Sequence, residues 1–269
     1  MSRLLSKLFG KKKYQIAPIE LVKWAEPLFG EGERPAEGFS EALIASYEAS
    51  AGFRLPAALR GYYLACGKAS LNRMLHRIAI PDRDAAPFDD GLTFSHEYLA
   101  DELDCNDPED DTPEQEQLRA LPRERWGEIT GNYLLICWEN QGSWCAGIRT
   151  EDLDQPDPVV WQDDDMPVPT WTKMNGSVSA HLMGIILEAI IEETTAESDY
   201  IEDPAELQAT LKKYRVDAAR LKAPPPFAGG EQVHTCLDTR HNRLFVYHKA
   251  NEQRPEGLTV ISEWSVWKG

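Results

Sequence analysis

Residues Ser40 to Gly67 read SEALIASYEASAGFRLPAALRGYYLACG, two helical patterns separated by a glycine stop and a Leu-Pro restart. This punctuation restricts the fold more than any other stretch. Ser40 is placed to cap a first helix whose apolar residues Leu43, Ile44, Tyr47 and Ala51 recur at helical spacing, and Gly52 supplies the left-handed residue that ends it. Pro56 suits the first turn of a second helix, where an amide hydrogen has no intrahelical partner. Leu59, Tyr62, Tyr63 and Cys66 make the buried stripe of that helix and Gly67 its stop. The expectation is a compact helical hairpin with Leu55 at the corner.

A chain of 269 residues with 42% hydrophobic content has enough apolar material for a real core, which excludes disorder throughout. The formal net charge of -17 opposes binding to nucleic acid or an anionic membrane and favours a basic partner through long-range attraction; the plainer reading is solubility. Cys66, Cys105, Cys137, Cys145 and Cys236 form no close metal or redox pair, and their odd number suits a reducing, cytoplasmic setting. The opening MSRLLSKLFGKKK has no apolar run long enough for a signal core or a membrane span. It reads as an interfacial helix or, more simply, as a frayed helix on the domain surface.

Along the chain, Pro18 to Leu28 reads as a helix, Arg77 to Ile80 and Gly91 to Ser95 as short strands, and Asp101 to Gln117, rich in acid, as an exposed loop with frayed helix. Tyr133 to Trp138 is apolar on both alternations, as a strand covered on both faces should be, and Trp144 to Ile148 returns after the turn Asn140-Gln141-Gly142-Ser143. Val159 to Trp161 follows as a third strand. Pro204 to Tyr214 reads as a helix, Ala223 to Gly230 as a Pro/Gly hinge, and Gln232 to Leu237, Arg243 to His248 and Leu258 to Trp264 as three strands, with a hairpin tip near Asn242.

Two ordered sets of residues resemble one family. Ile44, Glu48, Gly52, Leu55, Pro56, Tyr62, Tyr63 and Gly67 are similar to the opening of the SUKH superfamily, which holds Smi/Knr-type regulators of fungal cell-wall synthesis and bacterial immunity proteins against polymorphic toxins. Trp138-Glu139-Asn140-Gln141-Gly142, Trp144, Gly147-Ile148 and Asp157-Pro158-Val159 resemble its ENQG hairpin and Asp-Pro-x-Val strand. Trp171 and Ser177-Val178-Ser179, leading into a helix through Ile191, resemble its closing segment. His181-Leu182 departs from the Phe found there in many relatives. The resemblance spans about residues 40 to 195 and implies an α+β fold, a mixed or antiparallel sheet flanked by helices, with a C-terminal β-rich extension. The divisions expected are 1–39 as a helical arm, 40–197 as the SUKH-like domain and 198–269 as the extension.

Gln141-Gly142-Ser143-Trp144-Cys145-Ala146 has papain-like residues in the wrong order, and a cysteine inside a strand lacks the helix terminus or histidine that activates a thiol. Asp163-Asp164-Asp165 offers carboxylates in one solvated environment, whereas acid-base catalysis needs two. No phosphate loop, His-Glu-x-x-His or Gly-x-Ser-x-Gly occurs. In the tail, His234 and Cys236 share a strand face that His241 or His248 can approach, a conceivable metal set and the basis of an alternative, metal-dependent enzyme.

An enzyme is therefore not expected, and neither a cofactor nor a metal is assigned. The resemblance implies protein binding: a cytoplasmic immunity protein that occludes a cognate toxin, a basic one on charge grounds, or alternatively a regulatory adaptor in envelope synthesis or signalling. The candidate contact residues are Asp101, Glu102, Asp104, Asp110 and Asp111, then Glu139, Asn140 and Gln141, then Asp163, Asp164 and Asp165. For the middle three, turn chemistry is the competing reading. Trp138 and Trp144 are expected in the core more than in a contact, while Trp264 and Trp267 are open to either.

Overall fold

The computed structural model describes residues 12–29, 35–81, 91–105, 107–163, 168–193, 199–222, 233–250 and 255–261. The chain starts with a short strand, β1 (Lys12–Tyr14), and helix α1 (Pro18–Phe29). The predicted hairpin follows as α2 (Glu41–Ala51) and α3 (Ala57–Cys66). Ser40 Oγ accepts the Leu43 amide at 3.2 Å, and Gly52, at φ 78°, returns its own amide to the Glu48 carbonyl. Leu55 is buried at the corner as expected.

Three details differ. Pro56 occupies the cap position ahead of α3, where it offers no side-chain cap. Gly67 closes α3 in the right-handed region, so it is needed for space: a Cβ there would lie 2.4 Å from the Phe39 ring. The buried stripe of α2 is narrow, with Ile44 and Tyr47 inside and Leu43 at 37% exposure.

The first sheet runs β2 (His76–Ile78), β4 (Tyr133–Glu139), β5 (Cys145–Arg149), β6 (Val159–Asp163) and β7 (Trp171–Ser177), with β3 (Thr93–Phe94) also paired to β4. Every ladder is antiparallel. β4 is buried from Tyr133 to Trp138, as its two-sided apolar run predicts. A register shift between Leu135 and Cys137 turns the alternation over, which puts Trp138 on the same face as Leu135. That outer face is covered by a segment whose Asp101 to Gln117 part is read from sequence as an exposed loop with frayed helix. It forms α4 (Ser95–Cys105), α5 (Pro113–Arg119) and α6 (Gly127–Thr130), with Leu99, Ala100, Leu103, Leu118 and Trp126 as a small core of its own.

On the other side lies α7 (Val178–Glu193), packed against β6, β7, α1 and α3. It is buried nearly all round, and its least covered positions, His181, Gly184, Glu188 and Glu192, lie along one stripe. The tail builds a second antiparallel sheet, ordered β1, β9 (Val233–Asp238), β10 (Arg243–His248), β11 (Gly257–Ile261) and β8 (Asp199–Ile201). Its alternation serves two cores. Leu237, Leu244, Val246 and Ile261 join the cluster that holds α1, α3, α7 and the first sheet. Cys236, Phe245, Tyr247, Leu258 and Val260 pack with residues of α8 (Pro204–Lys213) and α9 (Ala218–Leu221). The architecture is α+β, with antiparallel sheets flanked by helices.

The basic opening residues read as an interfacial or frayed helix lie outside the described residues up to position 11, while Lys12 and Lys13 belong to β1. The Ala223 to Gly230 hinge, Trp264 and Trp267 also lie outside them. Among the described residues no helix is long and apolar enough to cross a membrane.

Candidate functional site

Three carboxylates in the family-like motifs each hold a turn. Glu48 Oε1 accepts the Leu55 amide at 3.0 Å and Arg60 Nε at 3.2 Å, which ties the two hairpin helices together. Asp157 accepts the Ser177 hydroxyl and the Ser179 amide, both at 2.9 Å, and so anchors the start of α7. Glu139 Oε2 accepts the Gln141 amide at 2.7 Å and the Ser143 amide and hydroxyl at 3.3 and 3.0 Å. Burial alone would raise the Glu139 carboxyl, but the bonds from Ser143 and Gln141 outweigh it and hold it below the ordinary range. For Glu139 the turn reading therefore describes what the side chain does, while Asn140 and Gln141 stand exposed beside it.

The acidic segment is more ordered and more neutralised than its sequence implies. Thr112 and Gln115 form a reciprocal capping box at the start of α5. Arginines just downstream fold back over the acids. Arg119 pairs with Asp111, whose side chain is only 2% exposed, and Arg123 pairs with Asp104. Asp111 is thus corrected from a surface contact to an internal brace, because it lies under its own arginine. Asp104 and Asp110 remain exposed and Asp101 half-buried. The side chain of Glu102 lies outside the described residues. Residues 101–128 carry 11 acidic and three basic side chains, so the segment stays strongly negative despite this pairing.

Asp163 is a second correction. It is 5% exposed, with Oδ1 accepting the Thr170 amide at 2.7 Å. β6 continues through it, and the alternation directs it to the outer sheet face opposite Cys145 and Trp171. Asp164 and Asp165 lie outside the described residues.

Of the candidate contact residues described, only Asp163 lines a cavity, beside neighbours of the other two stretches. Tyr98 from α4, Gly142 and Trp144 from the hairpin, Trp138 from β4, Trp171 from β7 and Asp163 from β6 line one small cavity of about 30 Å³ on the outer face. The Tyr98 and Trp138 rings lie 6.2 Å apart. Trp171 is stacked on Tyr133 at 4.0 Å, and its Nε1 donates to the Thr130 carbonyl at 2.8 Å, which fixes that wall. Asp101 follows Tyr98 by one helical turn, so the acidic helix and the aromatic pocket share a side of the molecule. The tryptophans were legible in sequence, but their convergence on Asp163 depends on the β4 register shift and on α4 lying across the sheet.

Behind the hairpin, Trp144 lies between two histidines, 5.0 Å from the His76 ring and 6.2 Å from that of His181. His76 Nε2 contacts Glu188 Oε2 at 3.1 Å. Burial pushes His181 down to about 4, with His76 adding to the effect and Glu188 opposing it. Its imidazole is neutral at pH 7. A cleft of about 960 Å³ lies between the hairpin corner and the turn at 150–156, and Glu41, Glu48, Arg60, Glu151 and Asp154 are among its lining residues.

The tail does not assemble the conceivable metal set. His234 is opposite Tyr247 whereas His248 is opposite Val233, one position along, so the two histidines project from opposite faces of the sheet. His241 Nδ1 contacts Asp238 at 3.0 Å and His248 Nε2 contacts Thr259 at 3.3 Å. Burial pushes the Cys236 thiol up to about 12, away from the thiolate a metal requires. Among the described residues no three His, Cys, Asp or Glu side chains converge to hold a metal ion.

No family model, curated protein or solved structure matches the chain.

Proposed function

We propose that this chain is a non-enzymatic binding protein whose outer sheet face holds a basic protein partner, and that the partner is a toxin the chain neutralises in the cytoplasm. The observation that carries the binding reading is the outer-face cavity lined by Tyr98, Trp138, Gly142, Asp163 and Trp171, with the acidic Asp101 one helical turn from Tyr98. Aromatic side chains at a partly open site supply contact area at low entropic cost, and the surrounding acid accelerates encounter with a cationic surface. Strong negative charge over the whole chain acts in the same direction. The toxin-neutralising part rests on the SUKH resemblance, in which the braced motif residues serve as scaffold and leave the neighbouring surface to the partner.

The test is co-expression with the toxic domain encoded beside this gene, read as growth, together with stopped-flow association of the purified pair. Growth rescue is expected. Changing Asp101, Asp104 and Asp110 together to Asn is expected to slow association about tenfold at low salt, with the difference vanishing near 1 M salt. No rescue and no complex would remove the immunity reading. An unchanged association rate in the triple variant would remove the role of the acidic helix.

A further inference from the structure

We infer that the corner of the tail where α8 runs into α9 binds a compact polyphosphate, a short chain of linked phosphate groups. The site lies outside the SUKH-like stretch and holds whether or not the partner of the outer sheet face is a toxin. In a chain of net charge -17, Lys212, Lys213, Arg215 and Arg220 fall close together in sequence, and Arg243 reaches the same corner from the start of β10. Among the described residues none of these five makes an ion pair, whereas Lys12, Lys13 and Lys222 are paired with Asp238, Glu20 and Glu256. Two acids of the region are already engaged. Asp217 caps α9 through the Ala219 and Arg220 amides, and buried Asp238 holds Lys12 and His241.

The cations are mounted on rings. Arg243 and Lys213 lie over Tyr214, 4.7 and 5.0 Å from its centroid, and Arg220 lies over Tyr14 at 4.2 Å. Tyr14 Oη accepts the Asp217 amide at 2.9 Å and Tyr214 packs on Phe245, so both rings are fixed. A guanidinium packed over a ring keeps the N–H donors at its edge free, and that fork matches two oxygens of one phosphate. Register sets the spacing: Tyr14 is opposite Cys236 and Cys236 opposite Phe245, which puts Tyr14 and Phe245 two strand spacings apart, about 10 Å. Linked phosphates span such a gap; a single one does not.

Arg215 adds an observation of a different kind. At φ 53° it takes the left-handed position after α8 that usually falls to glycine, with the Val216 amide bonded to the Leu211 carbonyl at 2.8 Å. Its side chain has no partner among the described residues that accounts for an arginine there. Helix dipoles favour the last-turn cations Lys212, Lys213 and Arg220, but Arg215 and Arg243 lie outside any helix. The acidity of the rest of the chain selects for size. An extended polyanion such as a nucleic acid or an acidic protein meets that repulsive surface, whereas a compact one meets only the corner.

The measurement is calorimetric titration of the full chain with inorganic triphosphate at low ionic strength, with amide NMR shifts to locate the site. Saturable binding with a Kd on the order of 0.1 mM is expected, and inorganic phosphate is expected to bind at least about tenfold more weakly. Arg215→Gly removes a cation while giving the left-handed position its preferred residue, so the fold is retained. It and Arg220→Gln, at an exposed position, are each expected to lower affinity about fivefold. Lys173→Gln, which removes an exposed lysine from β7, is expected to change nothing. ATP carries the same phosphate chain on a nucleoside: tighter binding than triphosphate sustains the inference with a nucleotide as the ligand, and equal binding sustains it with the phosphates alone recognised. Absence of saturable binding, shifts outside residues 212–220 and 243, or undiminished affinity in both arginine variants overturns it. Tighter binding of an oligothymidylate or a polyglutamate peptide than of triphosphate overturns it too, because the corner then serves an extended polyanion.

Discussion

His181 shows how far a single residue's environment departs from its sequence. It stands where the resemblance has a Phe, and the structure treats it as nearly apolar, with Nε2 buried and no hydrogen-bond partner for it among the described residues. Its folded pKa of about 4 lies below the ordinary value of 6.5, so the unfolded chain takes up the proton first as pH falls. Stability from this group is intact above about pH 6.5, declines between 6.5 and 4, and levels below 4, a total of about 3 kcal/mol from the size of the shift. The groups facing it, His76, Glu188 and Trp144, are unchanged in His181→Leu. Urea unfolding of both proteins from pH 7 to pH 4 is therefore expected to show a stability difference that grows in favour of the variant as pH falls. A constant difference would mean that the imidazole takes up its proton at the same pH in the folded and the unfolded chain. Nothing in the local sequence announces this, since His181 sits at an ordinary helical position, and only the approach of Trp144 from the hairpin desolvates it.

At the scale of elements, the family-like motifs are hydrogen-bond devices that set where one element ends and the next begins. Asp157 reaches from the turn before β6 to the Ser177 hydroxyl and the Ser179 amide, so it secures both the β7 end and the α7 start. Asp157→Ala is expected to cost about 1–2 kcal/mol in chemical denaturation, as loss of a helix N-terminal acceptor does, and Asp157→Asn appreciably less. Equal stability of wild type and the alanine variant would show that α7 is held by burial alone. The α2–α3 hairpin and the β4–β5 hairpin were legible because periodicity, capping and turn residues are local signals, while α7 was expected from the resemblance. The α4–α5 segment was misread because its charge hides the spacing of Leu99, Leu103 and Leu118; Thr112 to Gln115 is a capping-box pattern that would have revealed α5. β1, β7 and β8 were not read at all. Two of them are three residues long, and such strands exist because a neighbouring edge offers hydrogen bonds, not because of a pattern in their own residues.

At the scale of the whole molecule, the tail is part of the main core. One face of its sheet shares a hydrophobic cluster with α1, α3 and α7, and β1 ties residues 12–14 to β9 near the other end of the sequence. A fragment ending at residue 197 is expected to expose that shared face, bind a hydrophobic dye and self-associate, as measured by fluorescence and analytical ultracentrifugation. A monomeric fragment with native near-ultraviolet circular dichroism and no dye binding would show that residues 1–197 are self-sufficient. Composition and periodicity left open whether the tail makes its own sheet or extends the first. The alternation of β10 answers it, with Leu244 and Val246 facing one core and Phe245 and Tyr247 the other.

The residues alone determined the helical hairpin with its Leu-Pro corner, the buried strand at Tyr133 to Trp138 and the strongly acidic character of the chain, while the α+β class came with the resemblance. The former follow from short-range rules: period, cap, turn and charge. Tertiary structure decided which acids remain on the surface, that Asp163 faces an aromatic cavity and that His234 and His248 face apart. These depend on strand register, on the shift between Leu135 and Cys137 and on arginines returning over Asp104 and Asp111. Register is set by the packing of both sheet faces at once, so no window of sequence contains it.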